Sequence, residues 1–269
     1  MSVQCLHSVV TMLDAMRPFS RLSLTALVRK LGRKASTTDR LEVAEKRERL
    51  QARIDKFHRQ ATEFWPPHSN DMRLHDPGWE GGENLASSDT EDDSDDDVFE
   101  DGPSEDLDLP ERQPLLLPSN LGLDVCQEQG YMAFVEQEKT LRVGQANDAL
   151  QGLRLGLSKK AVIFRKGVRL AKTKTRKLRS WDQISMVDVN VRHHARVYAG
   201  ARAAMIRLGA CEEDLERYQT LRKEHLSVTT AQIDPSLRGQ RDTSLAWFWT
   251  VDVKRDMDER NGMEECRCL

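Results

Sequence analysis

Two apolar stripes at helical spacing, separated by a short cationic stretch, set the strongest limit on what this chain folds into. Leu150, Leu153, Leu157, Ala161, Phe164 and Val168 recur at three- and four-residue steps. So do Ile184, Val187, Val191, His194, Tyr198, Ala201, Met205 and Leu208. That spacing lines one side of an α-helix with apolar groups. Between the stripes, Leu170 to Leu178 is too polar to bury and short enough to turn the second helix back on the first. A long antiparallel helical hairpin is therefore expected, with a dry seam and a charged flank.

Charge is segregated along the chain. From Arg154 to Arg179 there are eleven Lys or Arg and no Asp or Glu. The opposite block comprises Asp89, Glu91, Asp92, Asp93, Asp95, Asp96, Asp97, Glu100, Asp101, Glu105, Asp106 and Asp108, with no cation among them. Such a run repels itself and has little apolar surface to offset the entropy of ordering, so a disordered acidic linker is expected over 68–118. Ser88, Thr90 and Ser94 precede acidic residues, a context that acidophilic kinases favour, and phosphate there would deepen the negative charge. One expectation is that this run covers the basic span as a counter-charge. With 38% hydrophobic and 32% charged residues overall, much of the chain has no place in a compact core.

Elsewhere the pattern predicts shorter helices. Residues 3–16 read as an amphipathic helix ended by Pro18, and Leu22–Leu31 as another stopped by Gly32. Thr37 or Thr38 reads as the N-cap of a longer charged helix carrying Leu41, Ala44, Leu50, Ile54 and Phe57, closed by Pro66 and Pro67. Its thin apolar face calls for a partner, in a coiled-coil-like contact. Order should resume near Leu121, with a short helix before Gly130 and a longer one from Ala133. Gly209 reads as a C-cap, and Glu212, Glu213 and Asp214 as the first turn of a further helix. The expected organisation is an all-α fold with a helical segment at 1–67, the linker at 68–118, a helical bundle at 119–253 and a frayed tail at 254–269.

Little in the sequence points to chemistry. There is no phosphate-binding glycine loop, no dinucleotide fingerprint and no nucleophile elbow, so neither an enzyme nor a cofactor site is expected. Neighbouring His193 and His194 would point about 100° apart on a helix and cannot chelate one ion together. His194 falls on the apolar stripe and reads as a packing histidine. Cys266 and Cys268 lack a second ligand pair for zinc. The five cysteines are scattered and odd in number, which suits a reducing compartment. With no secretory leader pattern and no long apolar span, an intracellular, nuclear setting without membrane partners is expected.

The basic span is the one feature suited to a polyanion. Arg154, Lys159, Lys160, Arg165, Lys166, Arg169, Lys172, Lys174, Arg176, Lys177 and Arg179 would neutralise phosphates without reading base sequence. Against this stands the plain alternative of a solvated helix face. The apolar side chains Leu150, Leu153, Leu157, Phe164, Val191, Tyr198, Met205, Trp247 and Trp249 form a second candidate surface, through which a scaffold would self-associate. The Trp247-Phe248-Trp249 cluster fits closure of a core or a protein contact better than a stacking platform for bases.

At the hairpin the sequence resembles a known family. Glu138-Lys139-Thr140-Leu141-Arg142-Val143-Gly144-Gln145-Ala146-Asn147-Asp148-Ala149-Leu150 is similar to the opening of the C-terminal helical region of fungal KDZ (Kyakuja–Dileera–Zisupton) transposases. Leu153-Arg154-Leu155, Lys160 to Arg165, Val168-Arg169, Arg179-Ser180-Trp181-Asp182 and His194 to Tyr198 follow in the same order. Gly239-Gln240-Arg241 with Leu245 to Trp249 resembles its closing signature. The charged helix Lys46 to Ile54 and the exit Leu117-Pro118-Ser119 resemble the stretches flanking that family's acidic linker. Members of the family carry a cysteine-cluster zinc segment and a ribonuclease-H-like catalytic domain whose acidic residues hold divalent metal. Neither has a counterpart in this sequence, so the resemblance transfers no catalytic residue. It implies a non-catalytic accessory module, or a truncated or domesticated remnant, with DNA, a full-length transposase or a second copy as partner and no small-molecule substrate.

Overall fold

The computed structural model describes residues 35–64, 109–111, 113–227 and 246–251, with positions 21, 24, 25, 27, 28 and 31 before them. Every regular element among the described residues is helical, so the chain is all-α as the periodicity predicts. The expected helix at 3–16, the acidic run Asp89–Asp108 and the tail from Lys254 lie outside the described residues. Within Leu22–Leu31, the described positions are helical. The chain clusters into two compact units, Met1–Leu141 with Arg207–Gly209 and Arg142–Ile206 with Ala210–Leu269, so that one boundary falls inside a helix, between Leu141 and Arg142.

The first unit is built on α1, Thr37–Phe64. Its N-cap is Ser36 rather than Thr37 or Thr38. The Ser36 hydroxyl accepts from the Asp39 amide at 3.2 Å, while the Ser36 amide donates to the Asp39 carboxylate at 3.1 Å. This reciprocal pair satisfies donors that the first turn leaves open, and the Ser36 hydroxyl, donating to the Asp39 carboxylate at 2.7 Å, together with the Ser36 amide holds that carboxyl below its ordinary pKa. The buried stripe is Val43, Leu50, Ile54, Phe57 and Ala61, a heptad-like spacing. Leu41 and Ala44, expected on that stripe, are exposed. The place between Val43 and Leu50 falls to Arg47, whose guanidinium grips Glu111 through Nη2 at 2.6 Å and Nε at 3.1 Å.

The partner that α1 needs is supplied by its own chain. Leu24, Leu115, Leu117, Leu121, Cys126, Phe134 and Val135 close over the stripe in one core. Residues 113–117 therefore pack, where the expected linker was to run to 118, because Leu115 and Leu117 have apolar surface to bury. Pro118 opens α2, Pro118–Leu121, which is followed by α3, Leu123–Glu128. Helix α4, Met132–Ile163, starts one residue before the expected Ala133. The buried carboxylate of Glu138 in α4 accepts the Ser119 amide at 2.9 Å and the Ser119 hydroxyl at 2.7 Å. A buried carboxyl group thus satisfies one open N–H at the start of α2.

The second unit holds the hairpin. Helix α4 passes into a π-helical turn at Phe164–Arg169, and α5 spans Lys174–Arg207. The connection is shorter than expected, because α5 begins within the stretch expected to be loop. Thr173 caps it, its hydroxyl accepting from the Arg176 amide at 3.3 Å, and Lys and Arg are good helix formers. After Arg207, Gly209 takes φ 70° and Ala210 N–H closes on the Met205 carbonyl at 3.0 Å, the expected C-cap. Then come α6, Glu212–Arg217, and single 3₁₀ turns at Lys223–Leu226 and Trp247–Trp249.

Contacts between the arms fix their direction. Gly152 faces His194, Gly156 faces Val191, Lys160 reaches Asp188, Phe164 meets Trp181 and Gly167 faces Ser180. As the number rises on α4 and its π-helical turn it falls on α5, so the arms run antiparallel. An added Cβ would lie 2.5 Å from the His194 ring at Gly152 and 2.7 Å from Val191 Cγ2 at Gly156. These glycines let α5 come closer than any side chain would permit. Replacing Gly156 with alanine at an ordinary helix position would add about 1 kcal/mol of stability. Here Gly156→Ala is expected to lose about 1–3 kcal/mol by overpacking, read by urea unfolding followed by circular dichroism. A gain in stability would show that the approach is looser than this.

Candidate nucleic-acid interface

Each of the eleven cations between Arg154 and Arg179 belongs to the hairpin unit, but they do not form one uniform patch. Arg154 is turned to the aromatic segment. Its Nε donates to the Phe248 carbonyl at 2.8 Å, and its Nη2 reaches the carbonyls of Phe248 and Val251. Lys160 pairs with Asp188 of α5 at 2.6 Å. These two are engaged by groups of the chain itself. Charge counting within one helix cannot see either partner, since both lie on distant segments.

The other nine cations are exposed: Lys159, Arg165, Lys166, Arg169, Lys172, Lys174, Arg176, Lys177 and Arg179. All but Lys159 crowd the turn end of the hairpin. Lys166 and Arg169 lie in the last turn of the α4 arm, where the dipole favours cations. Lys174, Arg176 and Lys177 lie in the first turn of α5, which has no acidic residue. There the dipole disfavours them by about 0.3–1 kcal/mol each, a penalty that a bound anion reverses.

The same end exposes apolar groups that charge patterning does not reveal. Leu170 is 66%, Leu178 56% and Trp181 39% exposed. The Trp181 ring stands edge-on to Phe164, with centroids 5.4 Å apart and planes at 89°. The signal in sequence is the pair Leu178 and Trp181, three residues apart on one side of the helix, with Trp181 bordering the stripe that begins at Ile184 and Leu178 one step further from it.

The second candidate surface closes on itself. Leu150, Leu153, Leu157, Val191, Tyr198 and Met205 are buried within the one chain, so they are not free to seat a second copy. Phe164, expected to join them, is half-buried. Of the aromatic cluster, Phe248 is the fully buried member, while Trp247 and Trp249 are half-buried beside it. The Tyr198 hydroxyl donates to the Gln219 carbonyl at 2.7 Å, and burial pushes its pKa up. The Tyr218 hydroxyl donates to Asn147 at 3.0 Å, and Arg202 holds the Tyr218 carbonyl at 2.7 Å. Asn147, Arg154, Tyr198 and Phe248 thus tie the hairpin to the segment that follows it.

His194 is half-buried against Gly152, and the fully buried position beside it is Ala195. His193 and His194 have ring centroids 5.6 Å apart and planes at 68°. Among the described residues, no group of three or more His, Cys, Asp or Glu is arranged to hold a metal ion. No described helix is long and apolar enough to cross a membrane. No family model, curated protein or solved structure matches the chain.

Burial lowers the pKa of both His193 and His194 below the ordinary 6.5, and neighbouring positive groups add to the effect at His193. Neutral rings are therefore favoured in the fold. Their contribution is present in full above pH 6.5 and is lost as pH falls through 6.5 toward the lower folded values. Melting temperature is expected to drop on acidification to about pH 5.5. The drop should shrink in a His193→Gln, His194→Gln double variant without vanishing, because His58 and His225 shift the same way. An equal drop in the double variant would mean that the pair is already solvated.

Proposed function

We propose that this chain is a non-catalytic helical module of KDZ-transposase type that contacts double-stranded DNA through its phosphates, independently of base sequence. The observation that carries this reading is the crowd of exposed cations at the turn end of the hairpin, from Arg165 to Arg179. A chain gains nothing for its own fold by setting Lys174, Arg176 and Lys177 at a helix N-terminus. A phosphate backbone supplies the missing counter-charge and releases condensed ions as it binds. The module would act without chemistry of its own, in the nucleus, alongside a full-length transposase.

The resemblance to that family gains support from where its blocks fall. Residues of four of them, Asn147, Arg154, Tyr198 and Phe248, take part in the contacts that bind the second unit together. Such a pattern fits a shared fold rather than a shared catalytic site. A scaffold that self-associates through the helical seams is the weaker reading, because those side chains are buried within the chain.

Duplex-DNA binding by the full chain across a salt series tests the proposal. Affinity should fall steeply with salt, with a logarithmic slope of about −0.9 for each phosphate neutralised. Reversing charge at Lys172, Lys174, Arg176 and Lys177 should flatten that slope by about 3–4 while the helical signal is retained. Absence of binding at low salt, from protein shown to be helical, would overturn the proposal.

A further inference from the structure

Phosphate contact leaves one part of the hairpin end without a role. Leu170 lies in the connection, and Leu178 and Trp181 follow in the opening turns of α5. Lys174, Leu178 and Trp181 recur at four- and three-residue steps, so a cation and two large apolar groups share one face. The broad apolar surface that such side chains need is absent from phosphate and small on the sugar, which has only a few C–H groups to offer. In nucleic acid that surface is the face of the bases, and a paired, stacked helix hides it. It becomes reachable where a base step is unpaired, kinked or opened.

The surroundings suit a wedge of this kind. Phe164 sets the Trp181 ring edge-on, which limits the freedom the indole would lose on stacking. Gly167 lies directly against Ser180, leaving no room for a side chain between the arms beside that ring pair. The cations nearest in sequence, Arg169, Lys172, Lys174, Arg176, Lys177 and Arg179, are all exposed, so phosphates can be held while a base is met.

We propose that, given DNA contact at this end of the hairpin, it selects DNA with opened or unpaired base steps, Trp181 stacking on a base and Leu170 and Leu178 wedging beside it. The full chain would be titrated at one salt concentration with a fluorescent paired duplex and with the same duplex carrying a two-nucleotide bulge. The bulged duplex is expected to bind about tenfold more tightly, the scale of one stacked base. Trp181→Ala, and separately Leu170→Asn in the connection, should bring the two affinities together while leaving the paired duplex and its salt dependence unchanged. Equal affinities in the wild type would overturn the wedge and leave phosphate contact standing. Loss of binding to both duplexes would remove both readings. Tighter binding to phosphatidylserine vesicles than to either DNA, reduced in the same variants, would also overturn the proposal and give this end to an anionic lipid surface.

Discussion

The second unit depends on how closely two helices can approach. Gly152, Gly156 and Gly167 remove the side chains that would stand between α5 and the α4 arm, and His194, Val191 and Ser180 take up the space. Each helix-interior glycine costs about 1 kcal/mol of intrinsic helix stability, so the arrangement persists only if close packing returns more than that. The buried leucines at 150, 153 and 157 then fill the seam that this approach creates. Without the glycines the same apolar stripe would hold the arms further apart, and the Lys160–Asp188 ion pair would stretch with them.

Closing the seam sorts the charges. Arg154 finds its partners on the segment that follows the hairpin, and Lys160 finds its own on the facing arm. The remaining nine cations of the span are exposed. The first unit treats charge differently. Arg47 and Glu111 pair inside it, and the buried carboxylate of Glu138 holds both the amide and the hydroxyl of Ser119. These charges meet fixed partners, while the cations near the turn are exposed to solvent.

The helices were legible because their signal is local. The stripe of α5 predicts its buried face almost residue for residue, and Gly209 marks its end. What the sequence hides depends on segments far apart. The fate of Arg154 rests on carbonyls near residue 250, and the packing of residues 113–117 rests on the apolar face of α1. The π-helical turn at Phe164–Arg169 also escapes periodicity, and Phe164 and Val168 within it are only half-buried. At the candidate interface the cations were visible by counting. Leu170 and Leu178 fall in the stretch read as too polar to bury, but the exposure of Trp181 beside them was not visible, because it depends on how the facing arm packs.

Hydrogen exchange of the full chain, with and without duplex DNA, gives the most direct test of a hairpin that is closed along its seam and open for binding at its turn. In the free protein, amides around Leu150–Leu157 and Val187–Ala204 should be strongly protected, and those from Leu170 to Thr173 should exchange fast. With DNA, slowing confined to about residues 164–181 is the expected result. Weak protection along the seam, or slowing that falls elsewhere and spares the turn, would contradict it.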